Sequence, residues 1–423
     1  MNQPKPAVVT ERAARRLPRM ALLLLCAAYT IPGFFGRDPW RQADITAFGY
    51  MHSVATGRSQ WWHPLVGGLP PEGGLFPYWL GAFFIRLLDG VVDPALAARI
   101  PFGLLLVAVL ALTWYATYHL ARTEAAQPVA FAFGGEAQPT DYARAVADGA
   151  LLALLASLGL LQLGHETTPE LLQLTGAAML VYALAAADLR AAKSKLAVLV
   201  ALPLMAGSGA PATALALGAG GTVICLLSSQ PEARRFAGWV ALAATLAVLM
   251  GVATGTWAWR IYPDPSARQV LRLFAWFMWP AWPLAAWTLW RWRGHLLRRH
   301  LAVPLMAWAV AAVTCVAMNG SDRALMLGLP PLAVLAAFSL PTLRRGMASA
   351  IDWFSVFFFS VGALAVWVIY LSMQVGVPAK PLANIQRLAP GFEPQFSWWA
   401  LLPALLATLA WVWLMRWRAK RHR

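Results

Sequence analysis

Residues 36–88 read GRDPWRQADITAFGYMHSVATGRSQWWHPLVGGLPPEGGLFPYWLGAFFIRLL, with one long apolar segment before them and another after. The stretch holds Asp38, Arg41, Asp44, His63 and Glu72, a dense polar set in a chain that is 60% hydrophobic and 12% charged. If its flanks span a bilayer, it is a structured loop at the membrane surface. A loop of that length with helical patterning of its own tends to carry function rather than merely connect. Asp38-Pro39 reads as an N-cap followed by proline at the first helical position. That predicts a helix to about residue 55, stopped at Gly57. Residues 75–88 are apolar but short for a crossing, and Arg86 and Asp89 close the segment, so an interfacial helix is expected.

Outward from this loop, long uncharged segments recur and mean hydropathy is +0.58. The pattern predicts an all-α polytopic membrane protein of about twelve spans. They fall near 17–35, 95–120, 149–163, 171–187, 196–206, 210–227, 236–255, 271–290, 301–317, 324–340, 353–375 and 396–415. Residues 17–415 form the transmembrane domain in this reading. Basic cytosolic tails occupy 1–16 and 416–423, the first outer loop 37–94, and a cytosolic loop 122–148. No soluble C-terminal domain is expected. Lys and Arg favour the predicted inner side by about two to one, which sets this orientation. The net charge of +16 is therefore spread as membrane anchors, for instance Arg291, Arg293, Arg298 and Arg299, which argues against nucleic-acid binding. Cys26, Cys225 and Cys315 lie far apart inside apolar spans and form no metal-like or disulfide-like set. No small-residue cleavage site follows residues 17–35, so a retained span is expected there rather than a signal peptide.

Three short outer segments carry carboxylates: Asp38 and Asp44, then Glu166 and Glu170 in GHETTPE, then Asp264. A positioned carboxylate can take a proton from an attacking hydroxyl or amine. Arg41, Arg58, Arg260, Arg268, Arg272 and Arg323 are assigned to the same side, and the planar fork of arginine binds phosphate oxygens in pairs. Trp61, Trp62, Trp257, Trp259 and Tyr262 offer ring faces to a sugar, or serve as an interface belt. Structural readings stand beside each functional one. Asp38 can cap a helix, Asp44 can pair with Arg41, and Thr168-Pro169-Glu170 fits a helix start with an acid favoured by the dipole. His165 can be a satisfied interfacial histidine, and Arg323 an anchor for its span.

These motifs together resemble the opening of GT-C fold transferases, above all the aminoarabinose transferase-like enzymes related to the protein O-mannosyltransferases. The resemblance rests on GRDPWRQADITAFGYMHSVATG, WWHP, PPEGGLFPYWLGAFFIRLLDG and AARIPFGLLL. By resemblance, Asp38 matches the family's catalytic aspartate, and Arg41-Gln42-Ala43-Asp44 the R-Y-A-E stretch. Glu170 matches the second acidic position, with Glu166 the alternative, and the stretch from Arg323 to Pro331 the R-Y-L-L-P-x-x-P-P pattern. The sequence departs from the family at Pro39 and Gln42, in the insertion at 122–148, and in lacking the family's periplasmic C-terminal domain. The resemblance implies a GT-C-like bundle with periplasmic juxtamembrane helices in a bacterial inner membrane. It further implies an inverting glycosyltransferase that moves a sugar from a polyprenyl-phosphate carrier to a periplasmic lipid (lipid A among them), glycan or protein acceptor. Expected catalytic residues are Asp38, Glu170 and Glu166. Expected substrate-binding residues are Arg41, Asp44, His165, Arg260, Arg268, Arg323, Trp61 and Tyr262. No cofactor or metal is expected, although a divalent cation held by Asp38, Glu170 and His165 stays open. A polytopic transporter or lipid-linked sugar flippase is the rival. It would place ionisable groups at mid-membrane and give two similar halves.

Overall fold

A computed structural model describes residues 6–11, 14, 17–35, 38–257, 266–343 and 345–421. Among these the regular elements are helices, and they fall into two compact units, 1–342 and 343–423. In the first unit the helices are α1 (Arg19–Phe34), α2 (Gln42–Ala55), α3 (Phe76–Leu87), α4 (Pro94–Ala121), α5 (Pro139–Ala156), α6 (Leu158–Leu163) and α7 (Pro169–Ala186). They continue with α8 (Ala191–Gly207), α9 (Pro211–Leu226), α10 (Pro231–Ala253), α11 (Ala267–Phe277), α12 (Ala281–Arg291), α13 (Arg299–Ala317), α14 (Asp322–Met326) and α15 (Leu329–Ala337). The second unit holds α16 (Arg345–Val375), α17 (Ala379–Leu388) and α18 (Trp398–Arg421).

Among the described residues six helices are long and apolar enough to cross a membrane: α4, α7, α10, α13, and most of α16 and α18. At 28 residues, α4 extends about 42 Å, more than a hydrocarbon core of about 30 Å requires. The chain is a multi-pass membrane protein. Proline opens α4, α5, α7, α9 and α10, where its missing N–H is no loss. Alanine and glycine let the helices approach closely. A Cβ on Gly176 would collide with Met205, and one on Gly218 with Ala244. Helix α8 packs on α7, α9 and α10, while α4 packs on α5 and α7. At one end of this bundle Arg299 ties α13 to the end of α7, through Asp188 and the Leu184 carbonyl, and reaches Gln230 Oε1 at 3.0 Å. In the second unit α16 and α18 pair through indoles. Trp367 Nε1 donates to Thr408 Oγ1 (2.9 Å) and Trp411 Nε1 to Ser360 Oγ (3.3 Å).

Three expected spans are interrupted. The segment read as 149–163 breaks at Ser157, between α5 and α6. The one read as 271–290 breaks between α11 and α12, where Pro280 stands, and the one read as 324–340 splits into α14 and α15. Broken helices at membrane depth persist where protein satisfies the freed backbone groups. Here two breaks answer each other, since Leu158 N donates to the Trp279 carbonyl at 3.0 Å. Two further expectations are corrected. The loop read as 122–148 ends at Gln138, because Pro139 starts α5. Asp38-Pro39 does not cap α2, which begins at Gln42 with Arg41 at its N-cap position and no side-chain cap. The predicted end holds: the helix stops at Ala55, and Gly57 takes the left-handed conformation at φ +73°, which glycine alone adopts without strain.

Candidate active site

The segment that follows α1 leads through Asp38 into α2, and the turn 164–168 joins α6 to α7. These two, with the start of α14, meet at one end of the bundle. The turn is held from below by Asp44, in the first turn of α2 and wholly buried. Its Oδ1 accepts from Thr167 N at 2.8 Å and Thr167 Oγ1 at 2.5 Å. Its Oδ2 is buried without a hydrogen-bond partner. Asp44 therefore does not pair with Arg41; it fixes the backbone beside Glu166.

Glu166 is 1% exposed and lies between two guanidinium groups. Arg41 Nη1 reaches its Oε1 at 3.1 Å, and Arg323 Nη2 its Oε2 at 2.6 Å. Arg41 lies over the Trp40 ring at 4.6 Å, a cation–π contact that orients its fork. From the second unit-length of its fork, Arg323 Nη1 also donates to Glu170 Oε2 (3.2 Å) and Thr168 Oγ1 (3.1 Å). Burial would lower the Arg323 pKa, but the charges of Glu170 and then Glu166 outweigh it and raise the value above its ordinary level. Arg323 is thus a cation at any working pH. The ion pairs join Arg41, at the N-cap of α2, and Arg323 on α14 to Glu166 in the 164–168 turn and Glu170 on α7.

Asp38 is exposed and lies outside any regular element. Arg41 is three positions on, so their Cα atoms are within about 11 Å of each other. The Arg41–Glu166 pair consequently keeps Asp38 near the cluster. His165 turns away from it. Its Nε2 meets the Tyr29 carbonyl at 2.9 Å, and its ring packs on Tyr29 and Phe34. A Cβ on Gly33 would enter that ring, so glycine is what lets α1 close on the turn. Asp38, Glu170 and His165 do not form a cation cage, and among the described residues no group of three His, Cys, Asp or Glu is placed to hold a metal.

Of the other expected site residues, Trp61 stands apart from the cluster, while Arg268 lies on α11, whose Val270 borders Gly320 just before α14. Trp61 accepts from Trp79 Nε1 through its carbonyl (2.5 Å), and Arg86 lies over its ring at 5.5 Å. Arg86 also donates to the Ala55 carbonyl. That puts Trp61 at the C-terminal end of α2, about 20 Å of helix from Arg41. Arg268 is exposed on α11, with Arg272 one turn on. Arg260, Tyr262 and Asp264 lie outside the described residues. Reading the sequence missed Thr167 and Gly33. Thr168 was expected only at the helix start; it stands at the N-cap of α7 but makes no side-chain cap, and its hydroxyl accepts from Arg323 instead.

No family model matches this sequence, and no curated protein does. Two solved structures share its fold. ArnT from Cupriavidus metallidurans bound to undecaprenyl phosphate superposes with a TM-score of 0.59 at 13% identity, over 84% of this chain and 65% of that one. The same protein in the apo state gives 0.57 at 13% identity, over 84% and 64%. The chain spans just under two thirds of the length of these structures. Its fold is therefore the ArnT-like GT-C fold.

Proposed function

We propose that the protein is an inverting glycosyltransferase of a bacterial inner membrane. It transfers a sugar from a polyprenyl-phosphate carrier to an acceptor on the periplasmic side. The observation that carries this reading is Arg323 gripping Glu166, Glu170 and Thr168 beside Arg41, at the end of an apolar bundle. Paired guanidinium groups suit a departing lipid-linked phosphate, whose charge grows as the sugar leaves. A carboxylate near them suits the proton that the acceptor must lose. The shared fold with an ArnT bound to undecaprenyl phosphate supports the same class of donor.

In this reading Asp38, exposed beside the cluster, is the base. Glu170, 24% exposed and held among the described residues by Arg323, faces acceptor or donor. Glu166 is a positioning residue, since both its oxygens are engaged. When substrate phosphate arrives, Arg41 and Arg323 exchange part of their contact with the carboxylates for contact with phosphate oxygens. Displacement at the anomeric carbon forms the bond to the acceptor oxygen or nitrogen and breaks the bond to phosphate. The acceptor proton passes to Asp38, and configuration inverts.

The test is transfer in membrane vesicles, from labelled polyprenyl-phosphate sugar extracted from cells that lack the protein. Asp38→Asn is expected to lower turnover by about 10²–10⁴-fold with the protein still inserted and monodisperse. Unchanged turnover would reject the base. Arg323→Lys keeps the charge but loses the fork, and is expected to raise KM for the donor; an unaltered donor KM would reject the phosphate role.

A further inference from the structure

A second site lies at the other end of the bundle. Helix α1, 16 residues long, puts about 24 Å between its two ends. Its Phe34 end packs on His165, and its Arg19 end borders a cavity of about 480 Å³ between α1, α4 and α5. That volume is within the range of about 300–1,000 Å³ typical of ligand sites. The walls are apolar, with Leu22, Leu110 and Leu151 among them. Three lining residues are also markedly exposed, namely Leu23 at 59%, Val107 at 47% and Tyr115 at 48%. All three belong to apolar helices, so the cavity opens sideways into the bilayer rather than into water.

The polar lining is small and mostly cationic. Asp148 is buried and turned inward, with Oδ1 accepting from Trp114 Nε1 at 2.8 Å and Oδ2 from Leu17 N at 3.3 Å. Arg144 stands one turn before it on α5; its charge acts on Asp148, and it makes a long, half-exposed pair with Asp141, 3.8 Å. Such half-exposed pairs are worth little, so part of its charge still faces the slot. Arg19 is exposed at the start of α1. Two guanidinium groups therefore border an apolar slot that is open to lipid, the arrangement that takes an anionic headgroup above and an acyl chain below.

We propose that this cavity binds one anionic glycerophospholipid of the leaflet facing the Arg19 end. Its phosphate would sit between Arg19 and Arg144, and one acyl chain would lie along Leu110 and Leu151. The site is separate from the one proposed for transfer and stands or falls independently of it.

The experiment is native mass spectrometry of the full chain released from detergent, with phosphatidylglycerol or phosphatidylcholine of identical chains titrated in. One phosphatidylglycerol per chain is expected to be retained at least fivefold more tightly than phosphatidylcholine. Arg19→Gln with Arg144→Gln should bring that ratio to about one, and Ala111→Trp, which fills the slot, should lower retention of both lipids. Arg144→Lys should keep most of the preference, and gel filtration of each variant separates a binding loss from misfolding. Equal retention of the two lipids by the unmodified chain would overturn the proposal. A preference that survives both the double and the filling substitutions would do the same, as would a dimer of this chain that closes the cavity and is abolished by Ala111→Trp.

Discussion

Asp44 shows how much a single buried residue decides. One oxygen takes two hydrogen bonds from Thr167, and the other has no partner. A buried carboxyl in that setting is held by few bonds, so each one counts. Thr167→Val preserves shape and removes the hydroxyl donor; a loss of about 2 kcal/mol is expected, since hydrogen bonds to charged groups are worth about 1.5–3. Chemical unfolding followed by tryptophan emission would measure it. The two glutamates should separate in the same assay. Glu166→Gln breaks a buried carboxylate away from two arginines that are themselves 33% and 23% exposed, so a cost of about 2 kcal/mol is expected, below the range of about 3–5 for fully buried pairs. Glu170→Gln should cost less than about 1 kcal/mol while reducing transfer. Equal stability losses would contradict the division of labour between positioning and chemistry. Little of this was legible beforehand. The composition of GHETTPE marked the turn as polar, but which acid would be buried depends on Arg41 and Arg323, both more than a hundred residues distant.

At the scale of elements, ordinary signals located most helices. Uncharged apolar runs gave α4, α7, α9 and α13 to within about two residues, and α10 with its start placed five residues late. The breaks were harder. Ser157 sits in a uniformly apolar run and is a tolerated helix residue, so nothing local marks the interruption. Pro280 was a visible warning, because proline rarely continues a helix, and reading 271–290 as one span set it aside. The two breaks are locked by more than the Leu158–Trp279 hydrogen bond. A Cβ on Gly159 would strike the ring of Phe277, which is 1% exposed and has nowhere to move. Gly159→Ala is therefore expected to cost about 1–3 kcal/mol, in spite of alanine's better helix propensity. Gly33→Ala should act likewise through His165, and adding His165→Ala should recover part of that loss. Failure of the second change to recover any stability would show that the ring contact is not what Gly33 protects.

For the whole molecule, the polar groups of the first unit divide between two ends of an apolar bundle, and the Lys/Arg bias predicts its sidedness. In a background lacking Cys26, Cys225 and Cys315, Arg58→Cys should react with a membrane-impermeant maleimide in spheroplasts. Ala132→Cys should react only after permeabilisation. Both positions are exposed, so the reverse pattern would invert the orientation and with it the periplasmic placement of the proposed site. The sequence had anticipated a polytopic helical bundle, and the shared fold bears that out; the interrupted helices are what a count of apolar windows could not supply.

The hydrogen bond between Leu158 and Trp279 has a consequence for biogenesis. The amide at residue 158 leaves the ribosome long before the carbonyl that receives it has been synthesised. Throughout that interval an unshielded donor would face hydrocarbon, which membranes tolerate poorly. The nascent segment 139–163 should therefore linger beside the insertion machinery, or at the headgroups, until residue 279 arrives. Chains arrested before that point should remain crosslinkable to the translocon, whereas chains arrested well beyond it should have been released.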